Sequence, residues 1–294
     1  MVGVAMVSIR GADAQELEPR SYVNTPVGLN FALAGYGYTE GSIAFSGSAP
    51  IEDAEIRTHS GLLAYVRALD VWGLSGKVGV IVPYADLSGT AKLAGQARER
   101  EVSGFADPRF RLSVNFYGAP ALSLEEFSSY QQDLIVGATL EVSPPLGQYD
   151  SDKLVNIGTN RWTIKPELGV SKALGQFTLE MSAAATFFTP NNDFLDGRTL
   201  EQKPLYSVQA HLVREFRNGL WAALDATYYR GGRTKVDGER GEPLENVRLG
   251  LTVALPVNRY NSVKLYGSTG VYSRTGSDFD AVGIAWQVHW GGGL

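Results

Sequence analysis

The chain has 294 residues, 44% of them hydrophobic and 19% charged, with a net charge of −5 and no cysteine. This balance excludes an intrinsically disordered chain and offers no basic footprint for nucleic acid, and the longest apolar runs fall short of the ~18–20 residues that a membrane-spanning helix requires. The 34 glycines, 14 tyrosines and 11% aromatic content favour strands and tight turns instead.

The first residues read as the end of a secretory signal. A short apolar piece, Val2-Gly-Val-Ala-Met-Val7, precedes Ala12-Asp-Ala14 and Gln15, which fits the small-x-small cleavage pattern. Residues 1–14 are therefore expected to be the remnant of a cleaved signal peptide, and residues 15–294 a single domain.

From about residue 26 the chain repeats one unit, some ten residues of period-2 alternation followed by a turn or loop. Twelve such segments can be placed: 26–38, 55–69, 74–85, 107–118, 133–143, 160–172, 176–188, 204–216, 219–230, 245–255, 261–273 and 279–290. In the fourth, Phe110, Leu112, Val114 and Phe116 share one face, and Arg109, Arg111, Ser113 and Asn115 the other. The seventh sets Phe177, Leu179, Met181, Ala183, Ala185 and Phe187 against Thr178, Glu180, Ser182, Ala184 and Thr186. The tenth sets Val247, Leu249, Leu251, Val253 and Leu255 against Arg248, Gly250, Thr252 and Ala254.

The connections have a rhythm. Those after the second, sixth, eighth and tenth segments are short, at 70–73, 173–175, 217–219 and 256–260. Those after the first, third, fifth, seventh and ninth are long and polar, as at 86–106, 189–203 and 231–244. The stretch 119–132 is long where a short connection is due, and is expected to form an extended periplasmic turn. Trp72, Phe116, Phe177, Phe216, Tyr260 and Trp290 fall towards the short-turn rim, and Tyr38, Tyr84, Trp162, Phe187, Tyr206 and Tyr228 towards the long-loop rim. A soluble sandwich would also alternate, but without a long/short rhythm or two aromatic girdles. The expected fold is all-β: a transmembrane, antiparallel, up-and-down barrel of about twelve strands, with short periplasmic turns and long extracellular loops, in a bacterial outer membrane.

Several stretches resemble a known family. Pro144-Pro-Leu-Gly-Gln-Tyr-Asp150, Asn156-Ile-Gly-Thr-Asn-Arg-Trp162 and Pro166-Glu-Leu-Gly169 are similar to the signature of bacterial outer-membrane proteins labelled the meta-pathway phenol-degradation family, or simply "transporter". Ser103-Gly-Phe-Ala-Asp-Pro108, Tyr228-Tyr-Arg-Gly-Gly232, Arg248-Leu-Gly250 and the stretch from Trp286 to Trp290 continue the match in the same order. The C-terminus departs from the usual barrel ending, because Gly291-Gly-Gly-Leu294 follows Trp290. The resemblance implies an outer-membrane barrel and suggests passage of aromatic or other hydrophobic compounds.

If the aliphatic parity faces lipid, the opposite parity lines a lumen. The lumen-lining candidates are Arg57, Arg67, Lys77, Arg109, Arg111, Glu141, Arg161, Lys165, Glu167, Glu180, His211, Arg248 and Lys264, and Glu215 and Asp225 share that parity. Nine bases against five acids leave the lumen positive within an acidic chain. His59, His211 and His289 are also assigned inward. Either these charges pair across neighbouring strands and fill a narrow barrel, or an arginine-biased pore attracts anions. On the same parity argument, arginine should be costly at Leu179 or Leu249 and tolerated at Thr178 or Thr252.

Nucleophile-elbow, zinc-protease and P-loop motifs are all absent. No catalytic residue, metal ligand or cofactor is expected, and the chain is not read as an enzyme. The leading functional expectation is a channel for passive uptake of small molecules, whether aromatic, hydrophobic or small anions. Alternatives are a structural or adhesive barrel with a plugged lumen and an outer-membrane hydrolase. The expected partners are outer-membrane lipids and a small-molecule substrate, with no nucleic acid.

Overall fold

A computed structural model describes residues 18–43, 51–93, 96–275 and 277–294. Residues 1–14, expected to be a signal remnant, lie outside the described residues. The strands, in chain order, are β1 (Leu29–Ile43), β2 (Ile51–Val71), β3 (Leu74–Leu93), β4 (Gln96–Phe105), β5 (Arg109–Tyr117), β6 (Leu134–Ser143), β7 (Thr163–Leu174), β8 (Phe177–Phe188), β9 (Asn191–Phe194), β10 (Arg198–Gln202), β11 (Leu205–Glu215), β12 (Trp221–Gly231), β13 (Thr234–Val236), β14 (Glu239–Arg240), β15 (Leu244–Pro256), β16 (Asn261–Thr275) and β17 (Ser277–Gly291).

Every neighbouring pair in the main sheet is antiparallel, and β1 pairs with both β2 and β17, which closes the ring. β4 and β5 form one stave. β4 pairs with the upper part of β3, from Tyr84↔Phe105 to Leu93↔Gln96, and β5 with the lower part, from Gly76↔Val114 to Ile81↔Arg109. The ring therefore has twelve staves, as the alternation implies, and closure pairs the first stave with the last, while β4, the upper half of the fourth stave, pairs among the described residues with β3 alone.

The lipid face is legible in the exposure pattern. Leu63, Leu168, Leu224 and Leu251 are 51–63% exposed, while the interleaved Glu167, Asp225 and Thr252 are buried. Exposed aromatics ring both ends: Trp72, Phe116, Phe216 and Trp290 at one, Tyr84, Phe105, Trp162 and Tyr206 at the other. Trp72 (φ 54°) and Gly73 (φ 84°) form the tight β2–β3 turn, where Gly73 N–H donates to Asp70 Oδ1 at 2.6 Å. Both the N-terminal entry at Gly28 and the end of β17 lie on this short-turn side.

Two connections differ from the sequence expectation. Residues 86–106 are a strand hairpin rather than a loop, so β2 and β3 run for 21 and 20 residues and the wall rises above the aromatic girdle. Its outward residues, such as Ser88 and Glu101, are polar because they stand in water, while the ladder continues with Leu87 and Val102 inward. An alternation rule tuned to an apolar outer face misses such strands. The other long connections, after β8 and β12, carry the short strands β9, β10, β13 and β14, which pair into a separate sheet over a small core of Phe194, Leu200 and Val236.

The connection 118–133 is the extended periplasmic turn the spacing implies. It holds one helical turn, α1 (Leu124–Phe127), closed by a capping box between Ser123 and Glu126. Hydrogen bonds from the Ser123 backbone N–H and hydroxyl hold the Glu126 carboxyl below the usual range. Pro120 bridges to Leu74, which lays this turn across the periplasmic mouth.

Candidate functional site

The segment 18–28 runs inside the barrel, and Tyr22 is its anchor, 2% exposed. Gly137 and Gly169 are directly paired on β6 and β7. They leave a slot for the Tyr22 ring: a Cβ on Gly169 would lie 1.9 Å from Tyr22 Cε2, and one on Gly137 2.8 Å from Cδ1. One residue further along the lumen face, Thr139 and Glu167 pair across the same strands. The Tyr22 hydroxyl donates to Glu167 Oε1 at 2.8 Å and lies 3.1 Å from Thr139 Oγ1.

The backbone of this segment is held as firmly. Lys77 Nζ donates to the carbonyls of Ser21 (3.0 Å) and Val23 (3.1 Å), and Asn115 Nδ2 to that of Tyr22 (3.2 Å). Arg20 N–H donates to Glu180 Oε2 at 2.5 Å, while its guanidinium pairs with Glu215 at 2.7 Å and stacks over Trp221. Glu18 pairs with Arg111. Nearer the mouth, Val27 N–H donates to Leu122 O and Asn24 Nδ2 to Pro120 O, so the periplasmic turn grips the segment where it enters.

Behind the segment a polar belt crosses five strands, β7, β8, β11, β12 and β15. His211 Nδ1 lies 2.7 Å from Asp225 Oδ1, whose other oxygen accepts from Thr252 Oγ1 at 2.7 Å. On the other side His211 faces Glu180 in register, and Glu180 Oε1 accepts from Ser171 Oγ at 3.0 Å. The cavity left between belt and segment measures about 20 Å³, room for a single water. On this side the charges satisfy one another, as a filled barrel requires.

Most of the candidate lumen residues face inward. Arg111 Nε lies 2.8 Å from Glu141 on the neighbouring strand, an ionic contact without hydrogen-bond alignment. Lys165 lies 3.8 Å from Glu167. Arg109 and Glu141 are buried in the wall. Arg248 stacks 3.8 Å over Phe279 and donates to Ser268 Oγ. Arg161, at the extracellular end, donates to Gln202 and stacks over Phe188. Lys264 shares its inward row with Ala254 and Ala285.

Arg57 and Arg67 do not face the lumen. Arg57 Nε pairs with Glu40 at 2.8 Å on the outer surface, and Arg67 aligns with the exposed Val78. His59 is also outward, its Nδ1 2.7 Å from the Tyr36 hydroxyl. The misassignment has a physical origin: along β2 both parities are apolar, Leu62, Ala64 and Val66 inward and Leu63 and Tyr65 outward. Periodicity then carries no sign of which face is which. Removing Arg57 and Arg67 leaves seven bases against five acids, a much weaker positive bias.

Tyr22, Gly137 and Asp107 are missing from the sequence candidates. Asp107 is 2% exposed and accepts from Gly147 N–H (2.7 Å), Thr159 N–H (2.8 Å) and Thr159 Oγ1 (2.7 Å), which folds the 144–162 connection in over the extracellular end. Gln148 N–H extends that contact to Phe105 O at 2.7 Å. Three of the stretches that carry the family resemblance thus meet at one carboxylate, a convergence that linear spacing does not reveal.

The comparisons agree with this architecture. An outer membrane channel from Pseudomonas putida F1 superposes with a TM-score of 0.80 at 18% identity, over 94% of this chain and 100% of that one. The transport unit of the Escherichia coli autotransporter AIDA-I gives 0.52 at 11% identity, over 96% and 94%. The β domain of the Bordetella autotransporter BrkA gives 0.51 at 11%, over 90% and 100%. These likenesses concern the fold. No curated protein sequence matches the chain. The family model described as the MetA-pathway of phenol degradation matches residues 29–286, almost the entire barrel, and the chain belongs to that family.

Proposed function

We propose that this protein is a bacterial outer-membrane channel for the passive uptake of small molecules, with hydrophobic and aromatic compounds foremost. One observation carries the reading. Most inward side chains on β6, β11 and β12 are buried, the exceptions lying at strand ends such as Glu215 and Trp221, whereas most of those on β1, β2, β16 and β17 stay partly accessible inside the barrel. The N-terminal segment therefore occupies one side of the lumen and leaves space along the other. A barrel built only as a scaffold would be expected to close both sides.

The family and the similarity to a channel of Pseudomonas putida support the same reading. Transport here would be diffusion past weak sites, without bond chemistry or energy coupling. The test is flux of phenol-sized solutes into proteoliposomes holding the folded barrel. Uptake above that of protein-free vesicles supports the channel, and no uptake through well-folded protein overturns it.

A further inference from the structure

The accessible side of the lumen is chemically divided. Its rows run across β16, β17, β1 and β2 in register. In one row Lys264 aligns with Ala285, Ala285 with Gly35 and Gly35 with Leu62. Two rows nearer the periplasm, His289 aligns with Phe31 and Phe31 with Val66. The β1–β2 side of the lane is therefore apolar (Phe31, Leu33, Leu62 and Val66), while the β16–β17 side carries a cation and an imidazole. Gly35 and Ala285 keep the floor between them low.

One further observation points to a ligand. All six of these side chains are only partly buried, although they line the inside of a closed barrel. The His289 ring packs 5.9 Å from that of Phe31 with its Nδ1 enclosed, so what a passing solute can meet is the remainder of the partly accessible imidazole. Lys264 and His289 are four residues apart in register, about 13 Å along the wall.

We infer that this lane selects small amphipathic anions, of which aromatic carboxylates are the simplest. The apolar body slides along β1 and β2 while the carboxylate passes from Lys264 to His289. The inference rests on the channel reading and deepens it by naming the substrate class and the residues that choose it. The charged belt on the opposite wall takes no part, because its groups are already paired with one another and with the N-terminal segment.

The chain contains no cysteine, so one introduced thiol is unique. Leu33→Cys, Leu62→Cys and, on the closed side, Ser171→Cys (Ser171 is 0% exposed) are made in the full chain, and folding is checked by heat-modifiable gel mobility. Sulfonatoethyl methanethiosulfonate should modify the first two on the order of tenfold faster than the third, since thiol reactivity follows exposure. Equal rates, or faster reaction at Ser171→Cys, overturn the lane. In proteoliposomes, Lys264→Gln should lower benzoate flux about threefold or more and leave benzyl alcohol flux nearly unchanged, because only the anion feels the lost charge. Equal loss of both fluxes, or loss of neither, overturns the head-group role. If wild-type protein passes neither probe, the channel reading itself fails and the proposed selection with it. Normal flux with the wrong labelling pattern removes only the lane.

Discussion

Gly169 lies under the Tyr22 ring with no room for a methyl group, since the added carbon would sit 1.9 Å from Tyr22 Cε2. Gly169→Ala should therefore expel the ring, loosen the N-terminal segment and make Arg20 a faster tryptic site. Gly267→Ala, whose nearest atoms lie 3.7 Å away, should change neither. Tyr22→Phe keeps the ring but removes the donor to Glu167, a loss of about 1–3 kcal/mol for a buried carboxylate left short of a partner. A urea unfolding midpoint, with trypsin sensitivity beside it, separates the two variants. Gly169 was visible beforehand, because it closes the stretch from Pro166. Tyr22 was not, since it precedes the first strand, obeys no period and meets Glu167 across 145 residues of sequence.

At the scale of the element, β8 and β15 displayed both faces in their alternation. Leu179→Arg and Leu249→Arg should each destabilise the barrel by ~2–4 kcal/mol near the bilayer midplane. The expectation that the opposite face tolerates arginine now holds for one neighbour only. Thr178 is partly accessible at the periplasmic end and should accept the change. Thr252 is 1% exposed and bonded to Asp225, so Thr252→Arg overpacks a closed region at a cost of about 1–3 kcal/mol. Thermal melts of the four variants check both statements, and a Thr252→Arg barrel as stable as wild type would reopen the packing of that wall. β2 hid its faces for the opposite reason, with apolar residues on both. The helical turn α1 offers a pH test. Ser123 holds the folded-state Glu126 carboxyl below its unfolded value, so the cap stabilises the turn above the unfolded pKa and is lost as pH falls through the lower, folded one. Amide protection of residues 123–127, corrected for intrinsic exchange, should drop on acidification, and Glu126→Gln, which cannot titrate, should abolish that dependence.

For the whole molecule, the strand number, the closure and the orientation of the two rims were legible, because each follows from local alternation and the lengths of successive connections. The contents of the lumen were not, because they depend on contacts such as Arg20 to Glu180, 160 residues apart. This distinction decides between the two readings of the inward arginines. Arg111 sits between Glu18 and Glu141, in a wall where the N-terminal segment already fills the space. A charge so neutralised adds little to the potential of any remaining path, whereas its removal leaves Glu141 buried beside an uncharged neighbour. Arg111→Gln should therefore lower stability by about 3 kcal/mol, the scale set by breaking one side of a buried pair. It should leave the reversal potential across a planar bilayer almost unmoved, even at low salt, where an unpaired pore charge would be felt most strongly. Lys264→Gln should do the reverse, shifting the reversal potential away from anions while the melting curve stays in place. If Arg111→Gln instead alters selectivity without loss of stability, the charged wall is part of the conducting path and the division of the lumen into a closed and an open side is wrong.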